Sequence, residues 1–556
     1  MSIHTFSTKA TEPIEFGGDP ALATSHLPSP GRALTATEAK ELGAICDTTA
    51  DATERVQHGR DWWPLSLRWS LRNEVPQIPA VVCRPKNTQE VSILLAYCND
   101  HKIPVTPSGG RSGVCGAAIP LFGGVALDMT QMQGVESIDE VSGIVETLAG
   151  TFGPDLEEAV RTHGLTIGHY PQSFAIATVG GWVACRGAGQ YSTRYGKIED
   201  MVHALEAVLA DGTIIRTGGA PAGAVGPDIS QLLLGSEGTL AVITRVWLRA
   251  HPLPEVERRA AFVFASFSEG IEACRRIIRA GATPAVLRLY DGAESKRSHG
   301  GDGTQCTLLV LDEGTESIVD GTMAVVFDTC KEMGAAEGDV ALIEAWMHHR
   351  NDTSGLQALT RKGFVVDTME VAANWGHLDS VVEAVESAML AVPHARSATC
   401  HLSHSYIEGA CVYFTFAATP EEADFESTYL AMWKAGQEAG RRGGAENQEV
   451  IQGLGLATLI RAIAGGNQIG RANEQEIPTH AIQGQRQAEM PFAIAGKCGE
   501  NAKQQQRNAP EHDLGGAIAR DEIAGEEGWH KHPHHMHEDH PMRFGMRQAA
   551  GNNGQW

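Results

Sequence analysis

Positive charge is scarce in this chain of 556 residues: 44 Lys and Arg stand against 68 Asp and Glu, a formal net charge of −24 at pH 7. That balance argues against nucleic acid as a partner, because phosphate backbones attract the opposite sign. Long apolar runs are missing too. No window approaches the ~18 uninterrupted apolar residues of a membrane-spanning helix. The opening Met-Ser-Ile-His-Thr-Phe-Ser-Thr-Lys lacks the apolar stretch of a secretory signal. The eleven cysteines form no C-x-x-C pair. Cys98, Cys185, Cys274 and Cys411 lie in apolar stretches and read as buried thiols of a reducing compartment, so a cytoplasmic location is expected. Tyrosine is absent after residue 429, and from residue 446 glutamine, alanine and glycine recur without helix or strand periodicity. Such composition does not readily build a packed core, which predicts an atypical, poorly ordered tail over 446–556. Six histidines crowd into residues 530–540 of that tail; they read as a solvated polar run or an adventitious metal binder.

What is present above all is a glycine-rich loop. Residues 104–116 read Pro-Val-Thr-Pro-Ser-Gly-Gly-Arg-Ser-Gly-Val-Cys-Gly after a short apolar strand, and no helical pattern follows. Glycines at this density let backbone N–H groups close on an anion. The common nucleotide loops need a helix N-terminus facing the phosphate. Its absence excludes a nicotinamide Rossmann site and points to a different nucleotide cradle; a glycine-rich surface turn is the bland alternative for the loop by itself.

Two other segments share this bareness. Residues 171–189 place Thr178, Gly180, Gly181, Ala184, Gly187 and Ala188 on one side of a short helix, and Ser236 and Thr239 flank a turn before an alternating strand at 241–250. Together the three segments resemble the FAD-binding domain of the vanillyl-alcohol oxidase/PCMH flavoprotein superfamily over about residues 75–250. Tyr195–Asp200, Pro284–Asp291 and Tyr406–Phe416 extend the likeness to the alkyldihydroxyacetonephosphate synthase family and its bacterial relatives. The resemblance ends near Ala445, where that family carries a Ser-His-His-His-Gly loop after a Gly-Gly pair. Gly443 and Gly444 are here and the histidine loop is not, so a change of reading frame or its equivalent near residue 446 is expected.

The resemblance implies FAD as cofactor. Its pyrophosphate cradle would be Pro107, Ser108, Gly109, Gly110, Arg111, Ser112 and Gly113. A flavin-lining segment would comprise Gln172, Ser173, Phe174, Ala175, Ile176, Ala177 and Thr178, continued by Cys185, Arg186, Gly187 and Ala188. A third cradle would comprise Glu237, Gly238, Thr239, Leu240, Ala241, Val242 and Ile243. Arg111 replaces the family's usual glycine; it either neutralises phosphate or faces solvent. Some superfamily members bond the flavin to a histidine near this position, which Arg111 cannot do, so FAD is expected to be non-covalent.

The implied fold is α+β: a two-subdomain PCMH-type FAD-binding domain at 75–252 and an α+β cap domain with an antiparallel sheet at 253–445. An N-terminal lead-in segment covers 1–74. Residues 1–50 read as flexible with one helix at 37–46, and the tryptophans of residues 61–69 pack that segment onto the body or line a ligand channel. In the cap, Tyr413 matches the family's catalytic tyrosine, the alternative being an ordinary aromatic in a strand. Arg288 lies in an apolar run and needs an anionic partner if buried. Arg350 is the candidate substrate-phosphate arginine, with Arg361 as alternative. No metal site is expected. The implied activity is flavin-mediated exchange of an acyl group for a fatty alcohol on a phosphorylated keto-substrate, impaired by loss of the histidine loop. FAD-dependent oxidation of a 2-hydroxyacid or alcohol, and flavin binding without catalysis, stand beside it. The expected partner is a small-molecule substrate, with a homodimer compatible with the family.

Overall fold

The computed structural model describes residues 16–28, 30–352 and 354–444; the 446–556 tail, with its histidine run, lies outside them. Mixed helix and sheet makes the chain α+β, in two sheets that carry the amino-terminal half and one that carries the rest. Among the described residues no helix is long and apolar enough to cross a membrane.

The first sheet sets the strands Asp47–Thr49, Val81–Arg84, Val125–Asp128 and Val105–Ser108 side by side. The last three run parallel, so Val81–Arg84 must cross over through the helix Thr88–His101. Asn87 caps that helix by accepting from the Glu90 N–H at 2.9 Å. Glu90 reaches back to the Lys86 N–H at 2.8 Å rather than to that of Asn87 itself, a capping box displaced by one residue. Val91, Leu94, Leu95 and Cys98 form the buried stripe the i, i+3, i+4, i+7 spacing requires. No helix stands between Val105–Ser108 and Val125–Asp128, as the loop's sequence predicts.

The second sheet is antiparallel, in the order Ile214–Gly218, Val202–Leu209, Ala241–Arg249, Ile144–Leu148, Val135–Asp139. Its hairpin turns at Asp211 and Gly212, where Gly212 takes a φ of +86° that a side chain would resist. Against this sheet lies the bare-faced helix Val179–Cys185, capped by Thr178.

Seven antiparallel strands make the cap sheet, in the order Ala336–Glu337, Val256–Phe264, Cys306–Gly314, Val286–Tyr290, Ala395–Ser405, Gly409–Ala418, Val365–Asn374. Helices Phe267–Arg279, Glu316–Glu332, Leu378–Leu390 and Phe425–Arg442 pack their buried stripes into one cluster with one face of it. The other face buries Ala261, Val286, Leu309 and Leu311 in a second apolar cluster and turns polar toward its far strands. Glu370, Tyr413, His401 and Tyr290 are successive register partners across four adjacent strands and therefore share that face.

The amino-terminal segment differs from the flexible lead-in its composition suggests. Thr24–Ser25 pairs with Glu74–Val75, and Ala36–Ile45 is a helix with a full capping box between Thr35 and Glu38. Trp63 and Trp69 are fully buried in the cap's own core cluster. Burial of two indoles supplies several kcal/mol of transfer free energy, at roughly 25 cal/mol per Å² of apolar area, and this outweighs the segment's weak local propensities. Trp63 and Trp69 pack the segment down onto the body.

Candidate functional site

The three glycine-rich segments meet. A Cβ on Gly109 would fall on Thr178 Oγ1, and one on Gly110 would fall on the Ile176 carbonyl oxygen. A Cβ on Gly238 would lie 2.9 Å from Pro107 Cγ. The Gly235 and Glu237 N–H groups donate to Val183 and Ala184 at 3.1 and 3.0 Å, which closes the third segment onto the helix end. Gly238 (φ +78°), Arg111 (+53°), Arg186 (+55°) and Glu237 (+48°) all sit in the left-handed region. For a non-glycine residue this conformation costs on the order of 1 kcal/mol. Three such residues in one cradle mark a backbone held in shape by something other than local preference.

Not every implied residue turns its side chain inward. Arg111 goes to neither expected destination. Its Nη1 lies 2.9 Å from His58 Nε2, and that nitrogen is 3.0 Å from Asp128 Oδ2. Burial works against ionisation of Asp128, yet hydrogen bonds from His58 and Thr130 hold its carboxyl well below the usual range. Arg84 joins the same group at 3.2 Å. Arg186 points outward to Glu199 and Gln231, at 3.3 and 2.9 Å. Phe174 packs against Tyr170 and Trp182 in the core. Gln172, Thr239 and Leu240 are exposed, whereas Ala241, Val242 and Ile243 are buried in their strand. Ser112, Ser173, Ala175, Gly187 and Ala188 are half-buried along the cradle, and Ala177 is buried.

Among the enclosed polar atoms without a hydrogen-bond partner, several belong to the cradle segments and the cap: Ser108 Oγ, Asp61 Oδ2, Trp182 Nε1, both ring nitrogens of His169, Ser405 Oγ and Arg350 Nη1. Buried polar groups are normally satisfied, and leaving one unpaired costs about 1–3 kcal/mol. A dinucleotide rich in acceptors and hydroxyls fits such a lining. Cradle and orphaned atoms together therefore fit FAD.

At the cap end, Arg288 donates to the Tyr290 hydroxyl at 3.1 Å, and its Nη2 lies 2.5 Å from His401 Nε2. His401 Nδ1 is 2.8 Å from Glu294 Oε2, so Nδ1 carries the hydrogen and Nε2 accepts from Arg288. Burial opposes ionisation of Glu294, but the adjoining His401 and Arg297 hold its carboxyl down to about 2. The His401 ring stacks on Tyr413 with centroids 5.0 Å apart. The Arg350 guanidinium sits over the rings of Tyr191, Trp346 and Tyr170, at 5.0, 5.5 and 5.8 Å. Arg288 lies over the same Trp346 at 5.6 Å. Arg361 is exposed at the end of its helix, which leaves Arg350 as the enclosed cation.

Two histidines that sequence patterns did not single out complete the site. His169 is buried against Trp182, centroids 4.7 Å apart; burial, with His404 adding, lowers its pKa to about 3. His404 Nδ1 is 2.8 Å from Ser192 Oγ, and burial drives its pKa well below the usual value. Both are neutral bases at pH 7. The only available signal was His169's place just before the Pro171–Thr178 segment.

On the reverse face of the same strand, Asp291, Glu386 and Cys400 bring potential ligand atoms within 4.8 Å of one another. The Cys400 N–H donates to Asp291 Oδ2 at 2.5 Å, and burial raises Glu386 to about 7.

Comparison with known proteins agrees with this geometry. A family described as FAD binding domain matches residues 79–218, and one described as FAD linked oxidases, C-terminal domain, matches residues 253–449. The FAD-linked oxidoreductase YgcU of Escherichia coli (strain K12) is 34% identical over 358 residues, 61% of this chain and 73% of that one. Alkyldihydroxyacetonephosphate synthase of Dictyostelium discoideum is 27% identical over 404 residues, 66% of each chain. A solved alkyldihydroxyacetonephosphate synthase superposes with a TM-score of 0.67 at 22% identity, covering 82% of this chain and 88% of that one, a likeness of fold. With a cradle that fits the cofactor and both halves matched in order, the chain belongs to the FAD-linked oxidases, and its cofactor is FAD.

Proposed function

We propose that the chain is an FAD-dependent enzyme for a phosphorylated keto-substrate, exchanging its acyl group for a fatty alcohol. One observation carries the reading: Arg288 and Arg350 flank a single buried indole, and Arg350 keeps an enclosed N–H without a partner. A buried guanidinium with a spare donor is stable only when an anion arrives, and a planar fork suits a phosphate. The nearby carboxyls of Glu257 and Glu313 are raised by burial, Glu313 to about 7, so they compete weakly for that charge.

FAD, when bound, would supply an electron-accepting ring. The chain's own groups do the rest. Arg350 holds the phosphate. Tyr413 carries a phenol, a group suited to giving up a proton in a transition state, and donates to a developing oxyanion. His401, pinned by Glu294, fixes Arg288 and the Tyr413 ring in place. With the family's histidine loop not found after Gly444, proton removal falls to neutral His169 Nδ1 or Nε2, neither of which is committed elsewhere.

A second reading, hydride transfer from a 2-hydroxyacid, is favoured by the proximity of two neutral imidazoles, His169 and His404, which suits removal of a hydroxyl proton. The test is direct. Full-length protein carrying FAD is given acyl-dihydroxyacetone phosphate and deuterated hexadecanol, and the ether product is sought by mass spectrometry. Absence of ether together with anaerobic bleaching by a 2-hydroxyacid replaces the first reading with the second. Retained FAD with neither response identifies a flavin-binding protein without turnover.

A further inference from the structure

We propose that Asp61, from the amino-terminal segment, is an FAD-binding residue whose neutral carboxyl donates a hydrogen bond to the acceptor oxygens of the cofactor's diphosphate. The proposal rests on FAD being the cofactor and is independent of the substrate reading.

Its basis is a juxtaposition. Asp61 lies outside the matched FAD binding domain of residues 79–218, yet its carboxyl stands among all three cradle segments. From the first, an ideal Cβ on Gly113 would be 4.0 Å from Asp61 Oδ2, and the Trp62 N–H donates to the Gly113 carbonyl at 3.0 Å. From the second and third, Cys185 and Glu237 are its electrostatic neighbours. Asp61 is 0% exposed. One oxygen has work within the chain: Oδ1 accepts from the Trp63 N–H at 3.1 Å. The other, Oδ2, makes no hydrogen bond of full geometry, although the Gly116 N–H also faces the carboxyl.

Charge decides the protonation state. The positive groups nearby are engaged elsewhere: Arg60 bonds Gln57 at 2.8 Å and covers the Phe16 ring, and Arg111 faces His58. Glu237 is itself pushed up to about 7 by burial. The Cys185 thiol is raised to about 12 by the same cause, with Glu237 and Asp61 adding, and stays neutral. Two like charges 4 Å apart repel by about 4 kcal/mol at an effective dielectric of 20, so an ionised Asp61 beside a diphosphate would expel it. Burial instead holds Asp61 to about 7, and a protonated carboxyl is a donor that diphosphate oxygens can accept. The FAD-bound protein then carries a proton that the free protein loses above that pH.

The experiment measures FAD affinity directly, by fluorescence of flavin released from, and rebound to, the full-length protein between pH 6 and 9. Wild-type Kd is expected to rise with pH, by up to about tenfold per unit once Asp61 ionises in the free protein. Asp61→Asn, a neutral donor at every pH, should flatten that rise, while Asp61→Ala should weaken binding at least tenfold at pH 6.5. The proposal is overturned by a pH-independent wild-type Kd, by Asp61→Ala binding FAD as tightly as wild type, or by Asp61→Asn binding as poorly as Asp61→Ala. Circular dichroism of the stripped proteins checks folding. Should Asp61→Ala fail it, Asp61→Asn decides: a Kd that still rises with pH as steeply as in wild type counts against the proposal.

Discussion

His401 and Tyr413 are register partners on adjacent antiparallel strands, and their rings stack with centroids 5.0 Å apart. The imidazole is fixed from its other side by Glu294 and Arg288, so the phenol ring stacked on it is held in place as well. Tyr413→Phe keeps the ring and loses the proton. Turnover should drop by about 10²–10⁴-fold, the usual worth of a general acid, with the flavin absorption spectrum unchanged. Normal kcat in the phenylalanine variant removes Tyr413 from the chemistry.

Arg350 is held by three aromatic faces. Lysine matches the charge but not the planar fork or the stacking. Arg350→Lys should therefore raise KM for a phosphorylated substrate by one to two orders of magnitude, roughly the 1.5–3 kcal/mol of a charged hydrogen bond. Inorganic phosphate should inhibit wild type competitively and the variant hardly at all. Equal inhibition of both proteins sends the phosphate elsewhere.

Gly110 leaves no room for a methyl group against the Ile176 carbonyl. Gly110→Ala must separate the glycine loop from the flavin-lining segment, and purified protein should emerge without yellow colour and with a lowered Tm. Full flavin occupancy in this variant is incompatible with the cradle described above.

With Arg111 turned to His58, no covalent flavin link is expected at that position. Acid precipitation should release all the flavin into the supernatant; colour remaining in the pellet contradicts it.

Asp367 is buried and accepts from both the Tyr429 hydroxyl (2.5 Å) and Trp433 Nε1 (2.8 Å). Burial raises its pKa to about 7, although those bonds pull the other way. Unfolded, it titrates near ~3.9. Between these values the folded form holds a proton that the unfolded form has lost, so this group's contribution is complete below about 4 and is lost as pH rises toward 7, at up to about 1.4 kcal/mol per unit. Asp367→Asn should flatten the fall of Tm between pH 5 and 7. An identical slope in the two proteins refutes the assignment.

The cradle was legible because its function is written in backbone: glycines at 109, 110 and 238 answer to close approach that other residues cannot make. Helix Leu378–Leu390 and strand Ile144–Leu148 were legible through periodicity alone. Strand Ala395–Ser405 was not, since its inward members are as weak as Ala398 and Cys400 and its outward ones are Thr399, His401 and Ser403, an alternation without contrast. Arg111 and His58 are 53 positions apart, and Trp63 meets Tyr429 across 366; no local pattern announces such pairings. Composition understated the order of residues 16–74 for the same reason, because two indoles settled in a distant core fix a segment that has little order of its own.

That segment places Asp61 and Trp63 two positions apart, one facing the cradle and the other donating its indole N–H to Tyr429 in the cap at 2.9 Å. A single turn of chain thus ties the glycine cradle to the outer helix of the cap. Nicking the polypeptide there should loosen both at once, so flavin loss and cap unfolding would arrive as one event rather than two.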